Sequence, residues 1–202
     1  MSETALQDYL AKRDLDVSPE PTGGSPTAGD EPRFVIQEHD ATSLHYDVRL
    51  EVDGVLKSWA VPKGPSTDPR DKRLAMPTED HPIDYVDFEG VIPQGQYGGG
   101  SVIVWDTGTY TNITADDNGD VKPMAGAITD GHVSVWLKGE KLQGGYALTR
   151  TSMGGDDREK WLLVKVDDAG ADARRKPTST QPESVLTGRT IEEVAAEQGG
   201  QG

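Results

Sequence analysis

Between Arg33 and Val166, apolar and polar residues alternate in short runs broken by Asp-Gly, Asn-Gly, Gly-Gly and Pro-containing punctuation. Runs of period two predict strands at Arg33 to Gln37, Leu44 to Val52, Val55 to Val61, Ser101 to Trp105, His132 to Leu137, Tyr146 to Thr151 and Lys160 to Val166. Seven or more short strands without helical patterns between them suggest a closed barrel or a sandwich. Helical spacing occurs near the two ends. Leu6, Tyr9 and Leu10 fall at i, i+3 and i+4, which predicts a short amphipathic helix over residues 4–13 with Thr4 as its cap. Thr190 and Glu193 form a capping box ahead of Val194 and Ala195, which predicts a short C-terminal helix. Residues 17–32 carry four Pro and three Gly and no apolar period, as a linker or covering arm would. The expected division is an N-terminal helix and arm over 1–32, a β domain over 33–168 and a polar tail over 169–202.

The strongest local signal is Asp53-Gly54 between two apolar-rich runs, because a type I′ turn needs positive φ at both central residues. A two-residue turn fixes the register: Val52 faces Val55, Leu50 faces Lys57, Arg49 faces Ser58, Val48 faces Trp59 and Asp47 faces Ala60. One face then carries Tyr46, Val48, Leu50 and Trp59. The other carries His45, Asp47, Arg49 and Glu51 opposite the small Ser58 and Ala60, which leave volume for a pocket. An outward polar face on an amphipathic strand is the plain alternative. Against it stands His39, six residues upstream of His45.

Composition narrows the chemistry. There is no Cys, so disulfides and thiolate metal sites are excluded and any metal must sit on His and carboxylate. His39, His45 and Asp47 are a set suited to Mn²⁺, Fe²⁺ or Zn²⁺ with open positions; on spacing alone, a metal site and ordinary polar residues both stand. Arg49, on the same strand face as Asp47, is placed to clamp a phosphate with bidentate hydrogen bonds. Lys63, Arg73 and Glu79-Asp80-His81-Pro82 add further basic and titratable groups. His81 is the sharpest of these, since three of the four His lie between 39 and 81. Tyr97, in Gly95-Gln96-Tyr97-Gly98-Gly99-Gly100, either covers the pocket mouth or belongs to a plain glycine-rich turn.

The net charge of −15 opposes a broad electrostatic grip on nucleic acid, so any contact with phosphate must be local. The start Met-Ser-Glu-Thr lacks a basic region followed by an apolar run, and no stretch approaches the roughly 18 apolar residues of a membrane span. A cytoplasmic location and no membrane partner are expected.

These motifs together resemble a known family. His39-Asp-Ala-Thr-Ser-Leu-His45-Tyr-Asp47-Val-Arg49-Leu-Glu, Leu56-Lys-Ser-Trp-Ala-Val-Pro-Lys63-Gly and Glu79-Asp-His81-Pro look like the signature of the 3′-phosphoesterase domain of bacterial and archaeal DNA ligase D. So do Phe88-Glu-Gly-Val-Ile-Pro-Gln-Gly-Gln-Tyr-Gly, Val102-Ile-Val-Trp105-Asp and Trp161-Leu-Leu-Val-Lys165, with Tyr9-Leu-Ala-Lys-Arg13-Asp14 and Ser184-Val-Leu-Thr-Gly-Arg-Thr near the ends. The stretch between Asp106 and Gly131 diverges.

The resemblance implies a mainly β fold, a closed β barrel with a polar central pocket. It implies Mn²⁺ held by His39, His45 and Asp47, and a phosphate site on Arg49 and His81. Gln37, Lys63, Arg73, Glu79 and Tyr85 match supporting active-site positions, and Arg13, Asp14 and Glu20 match residues contributed by the N-terminal arm. The implied activity is metal-dependent trimming of a 3′-terminal ribonucleotide to a 3′-phosphate and then to 3′-OH, in DNA repair by non-homologous end joining. The implied partners are DNA 3′ ends at a primer-template or broken duplex. Family members are often fused to polymerase and ligase domains, for which 202 residues leave no room, so a DNA ligase or end-joining protein is expected to act in trans near the nucleoid. One departure is Ala75-Met76-Pro77-Thr78, where Pro77 is expected to disturb the strand leading to His81.

Two other readings belong beside this one. His45-Tyr46-Asp47 is also His-x-Asp, and His132 could complete the facial triad of an Fe²⁺ and 2-oxoglutarate oxygenase. A non-catalytic end-binding adaptor that recruits a ligase would share the same architecture.

Overall fold

The computed structural model describes residues 3–23, 29–152 and 154–199; residues 24–28 of the expected arm and the last three of the tail lie outside the described residues. Strands β1 (Arg33–Asp40), β2 (Leu44–Val52), β3 (Val55–Val61), β4 (Arg73–Pro82), β5 (Gly90–Ile92), β6 (Gly100–Asn112), β7 (His132–Gly139), β8 (Gln143–Thr151) and β9 (Lys160–Lys165) form one antiparallel sheet. Its order β1-β2-β3-β4-β9-β8-β7-β6 is closed by pairing of β6 with β1, which makes an eight-stranded barrel, while β5 adds to β6 outside the ring. Among the described residues four short helices accompany it: α1 (Gln7–Ala11), α2 (Met124–Asp130), α3 (Pro177–Thr180) and α4 (Ile191–Gly199). No helix among the described residues is long and apolar enough to cross a membrane.

The Asp53-Gly54 turn has φ of 50° and 85°, the positive pair that a type I′ hairpin requires. The register follows from it: Val52↔Val55, Leu50↔Lys57, Arg49↔Ser58, Val48↔Trp59 and Asp47↔Ala60. The alternation therefore sorts side chains as the sequence predicts. Tyr46, Val48, Leu50 and Trp59 join an apolar cluster to which all eight barrel strands contribute, including Phe34, Trp105, Tyr110, Leu137, Tyr146 and Trp161. That cluster fills the space the ring encloses.

The opposite faces of β1, β3 and β6 carry a second apolar cluster, in which Val35, Leu56, Val102 and Val104 meet Tyr9 of α1 and Ile83, Tyr85 and Val86 of a 3₁₀ turn, Ile83–Asp87. Tyr9 is fully buried, and burial of such a ring stabilises by about 2 kcal/mol, enough to hold the arm against the sheet. Polar side chains of β1 and β2 lie on this same covered side. The tail returns to the barrel as well: the indole of Trp105 and Lys141 Nζ both donate to the Gln181 carbonyl, and Ile191 and Val194 pack on Ile103.

Several local expectations need correction. α1 is preceded by a 3₁₀ turn, Glu3–Leu6, so its N-cap is Leu6, without a side-chain cap bond, and Thr4 does not cap it. α4 does have its capping box, with Thr190 N–H donating to Glu193 Oε2 and Glu193 N–H to Thr190 Oγ1. β4 and β5 are strands that the apolar alternation did not signal, and α2 occupies part of the divergent stretch. Pro77 does not break β4, although the β3–β4 register shifts just beyond it, between Thr78 and His81, so the pairing leading to His81 is irregular as expected. Pro77 pairs with Trp59, and β9 pairs with β4 only from Arg73 to Ala75, so Pro77 sits where the strand has one neighbour and its missing N–H costs little.

Candidate metal and phosphate site

Side chains from β1, β2, the end of β4, the arm and the loop between β5 and β6 converge on a cleft of about 230 Å³. That space is enough for several waters, or for a phosphoryl group beside a cation. Its walls include His39, His45, Asp47, Arg49, Glu79, His81, Tyr85, Arg13 and Tyr97.

The β1–β2 register places His39 opposite His45 and Gln37 opposite Asp47. His39 Nδ1 lies 3.3 Å from Asp47 Oδ2 and His45 Nε2 lies 3.4 Å from Asp47 Oδ1. One ligand atom from each of the three residues falls within 4.8 Å of the others. The rings are oriented by backbone: His39 Nε2 is 2.7 Å from the Gly98 carbonyl and His45 Nδ1 is 3.0 Å from the Ser43 carbonyl. A carbonyl can only accept, so each of those nitrogens carries the proton. The other nitrogen of each ring faces Asp47, and in the neutral ring it is this nitrogen that offers a lone pair, the arrangement that metal-binding imidazoles use. Burial opposes the Asp47 charge, but Arg49 and the two imidazoles outweigh it and hold the carboxyl well below the usual range. Burial alone would lower the His45 pKa, and the adjacent carboxylate raises it instead.

Arg49 is buried and points into the cleft beside Asp47. Its Nε donates to Gln37 Oε1 at 2.8 Å, Nη1 to Ser58 Oγ at 2.9 Å and Nη2 to Asp47 Oδ2 at 3.2 Å. Its guanidinium lies over the Tyr85 ring, 4.9 Å from the centroid. Gln37 is fully buried and donates to the Tyr85 and Phe88 carbonyls, so its part is to fix Arg49 to the 3₁₀ turn. His81 lies between two guanidinium groups, with Nδ1 2.9 Å from Arg49 Nη1 and Nε2 3.1 Å from Arg13 Nη2. Burial first, then the charges of Arg49 and Arg13, push its pKa well below the ordinary imidazole value. His81 is therefore neutral while the cleft is empty of anions.

The arm completes the wall. Arg13 bonds Glu20 through Nε at 2.8 Å and Glu79 through Nη1 at 2.8 Å, and Lys12 reaches Glu79 at 3.1 Å. Glu20 also accepts from Ser18 Oγ at 2.7 Å and Tyr85 Oη at 2.8 Å. It lies behind the wall, holding Arg13 and Tyr85. Asp14 is exposed and folds the arm by accepting from Asp16 N–H; it does not line the cleft. Lys63 and Arg73 are not brought to the cleft wall either: Lys63 is exposed beyond the end of β3, and Arg73 pairs with Asp71 at 3.3 Å. Lys63 follows the end of β3 and Arg73 begins β4, positions where alternation does not dictate direction. His132 of β7 is exposed, 2.9 Å from Thr149 Oγ1, and is not grouped with His45 and Asp47, so the oxygenase triad is not assembled.

Some contributors carried no sequence signal. The Gly98 and Ser43 carbonyls are backbone groups, and Tyr9, which lies 4.0 Å under the Arg13 guanidinium, read as an ordinary helix apolar residue. Gly98 could have been suspected, since it adopts φ of 71°, and the glycine-rich run supplies residues free to do so.

The DNA Ligase D 3′-phosphoesterase domain matches residues 37–150. The multifunctional non-homologous end joining protein LigD of Pseudomonas aeruginosa is 49% identical over 194 residues, 94% of this chain and 22% of that protein. The multifunctional non-homologous end joining DNA repair protein LigD of Mycobacterium tuberculosis is 46% identical over 162 residues, 80% of this chain and 20% of that protein. The Mycolicibacterium smegmatis LigD is 42% identical over 169 residues. The chain thus spans about a fifth of the length of these relatives. By the domain match and the motifs that compose its cleft, the chain belongs to the DNA ligase D 3′-phosphoesterase family.

Proposed function

We propose that this chain is a metal-dependent phosphoesterase of nucleic-acid 3′ ends, removing a terminal ribonucleoside and then the remaining 3′-phosphate to leave 3′-OH. The observation that carries the reading is the contact of Arg49 with both Asp47 and His81 in one cleft, beside two imidazoles whose free nitrogens face the same carboxylate.

His39 Nδ1, His45 Nε2 and Asp47 fit a divalent transition ion, because two neutral imidazoles and one carboxylate leave positions open and the outer ring nitrogens are already anchored. Mn²⁺, the ion the resemblance implies, would supply a Lewis acid for a phosphoryl oxygen and a water ionised near neutral pH. Arg49 is fixed on three sides, so it meets developing phosphoryl charge without reorganising. A phosphate dianion beside Arg13 and Arg49 offsets the charges that keep His81 neutral. His81 can then hold a proton near the leaving oxygen. Tyr85 and Glu20 keep both arginines in place.

The names of the relatives support a place in non-homologous end joining DNA repair, with a DNA ligase or end-joining proteins as partners. The test follows a 5′-labelled primer-template ending in one ribonucleotide, with Mn²⁺ and with chelator. Stepwise shortening to a 3′-phosphate and then a 3′-OH, abolished by chelator, is expected. An unchanged primer end in Mn²⁺ would sink the reading.

A further inference from the structure

Ten of the twelve aromatic residues are buried in the two apolar clusters, and two are exposed: Trp136 on β7 and Tyr97 at 47%. Of these two, Tyr97 lines the cleft. We propose that the Tyr97 ring is the platform on which the nucleobase next to the bound 3′-phosphate stacks. This rests on the phosphoesterase reading and adds how the end of the strand is held.

The loop that carries Tyr97 is fixed rather than loose. Gln96 N–H donates to the Pro93 carbonyl at 3.1 Å and Gly99 N–H to the Gln96 carbonyl at 3.0 Å, giving two consecutive turns. The Gly98 carbonyl, one residue on, is the acceptor that orients His39. The ring is thereby tied to the imidazole that faces Asp47. Lys12 Nζ and the Arg13 guanidinium lie 5.1 Å and 5.3 Å from its centroid. Both are paired with Glu79, which keeps their positive charge beside the ring.

An anion at Arg49 and His81, both buried, sits on the floor of the same cleft, and Tyr97 is the exposed aromatic residue on its wall. A base attached to that anion and reaching toward solvent meets the Tyr97 ring. Every base has a π face, so stacking on one ring serves ends of any sequence, whereas hydrogen-bond readout would select among them. That suits an enzyme which meets arbitrary termini. The competing role for Tyr97 is to hold Lys12 and the arm, and that role does not depend on the substrate having a base.

The experiment compares the full chain with Tyr97→Ala, Tyr97→Phe and Trp136→Ala in Mn²⁺. Two primer-template substrates end in a 3′-phosphate, one with a natural last base and one with hydrogen in its place. On the natural end, Tyr97→Ala should lose about 5- to 150-fold in kcat/KM, the usual loss for an aromatic that stacks one base. The loss should appear mainly in KM, with Tyr97→Phe and Trp136→Ala close to the parent. On the baseless end, the parent and Tyr97→Ala should be alike. An equal loss on both substrates, or no loss on the natural one, overturns the proposal. A parent inactive on both substrates overturns the phosphoesterase reading instead. Fluorescence anisotropy with the same two oligonucleotides then still decides the stacking, by whether removing the base weakens binding to the parent and not to Tyr97→Ala.

Discussion

Arg49 Nη1 lies 2.9 Å from His81 Nδ1, so the two groups best suited to a phosphate are in contact before one arrives. The pairing is a consequence of register: β2 and β3 set Arg49 against Ser58, while Leu56 of β3 pairs with His81 of β4. A guanidinium and an imidazole so close can both persist only with the ring neutral.

The neutral state has a measurable cost in acid. Burial, with the Arg49 and Arg13 charges, holds the His81 pKa well below the ordinary 6.5. Below about pH 6.5 the unfolded imidazole takes a proton that the folded one refuses, so stability falls by up to about 1.4 kcal/mol per pH unit until the folded pKa is reached. Above that range the residue adds no slope. His81→Asn removes the effect, so its stability relative to the parent should rise as pH drops from 7 to 5 in urea unfolding with chelator present. A difference that does not change with pH would mean that His81 titrates alike in the folded and unfolded chains, and one that falls would mean that the folded protein keeps it charged.

Gly98 links the cleft to the loop above it. Its φ of 71° suits glycine, and a side chain there costs about 1 to 2 kcal/mol, although an added Cβ would meet His39 Cε1 only at an ordinary 3.5 Å. Gly98→Ala should therefore stay folded but displace the carbonyl that orients His39. Mn²⁺ affinity should fall about 10- to 100-fold, as when an outer partner of a metal-bound imidazole is lost. Isothermal titration that finds unchanged affinity would argue that His39 needs no such anchor.

The arm is held by a buried ion pair. Glu20 takes Arg13 at 2.8 Å and Tyr85 Oη at 2.8 Å, and its removal leaves the buried Arg13 guanidinium with Glu79 as its remaining carboxylate. Glu20→Ala should weaken docking of the arm by about 2 kcal/mol, the loss of a charged hydrogen bond. Hydrogen exchange should show the backbone amides of residues 9–18 losing protection while those of β7 and β8 keep theirs. Uniform loss across the barrel would instead make Glu20 part of the global fold.

The Asp53-Gly54 hairpin was legible because a two-residue turn with positive φ leaves a single register, and that register fixes which side chains share the face of Asp47. From the face, the gathering of Asp47, Arg49 and His45 follows. Strand β4 was not legible, since Pro77 and the charged run Glu79-Asp80 hide a segment whose partners lie on β3 and β9. Lys63 and Arg73 follow or begin strands, where the period gives no direction, and the fold leaves both off the cleft wall. The side of the sheet on which the site lies depends on closure of β6 onto β1, a pairing between residues more than sixty positions apart that no local pattern encodes.

In the proposed division of labour, Arg49 handles phosphate while His39, His45 and Asp47 handle the metal. The most direct measurement is the Arg49→Ala variant, assayed both for Mn²⁺ stoichiometry and for phosphate release from a 3′-phosphate primer-template. Mn²⁺ binding should stay near one per chain while turnover falls by about 10²- to 10³-fold, the usual loss of a donor to developing charge, with Arg49→Lys restoring only part. Full turnover in Arg49→Ala, or loss of Mn²⁺ in step with activity, would contradict the division of labour.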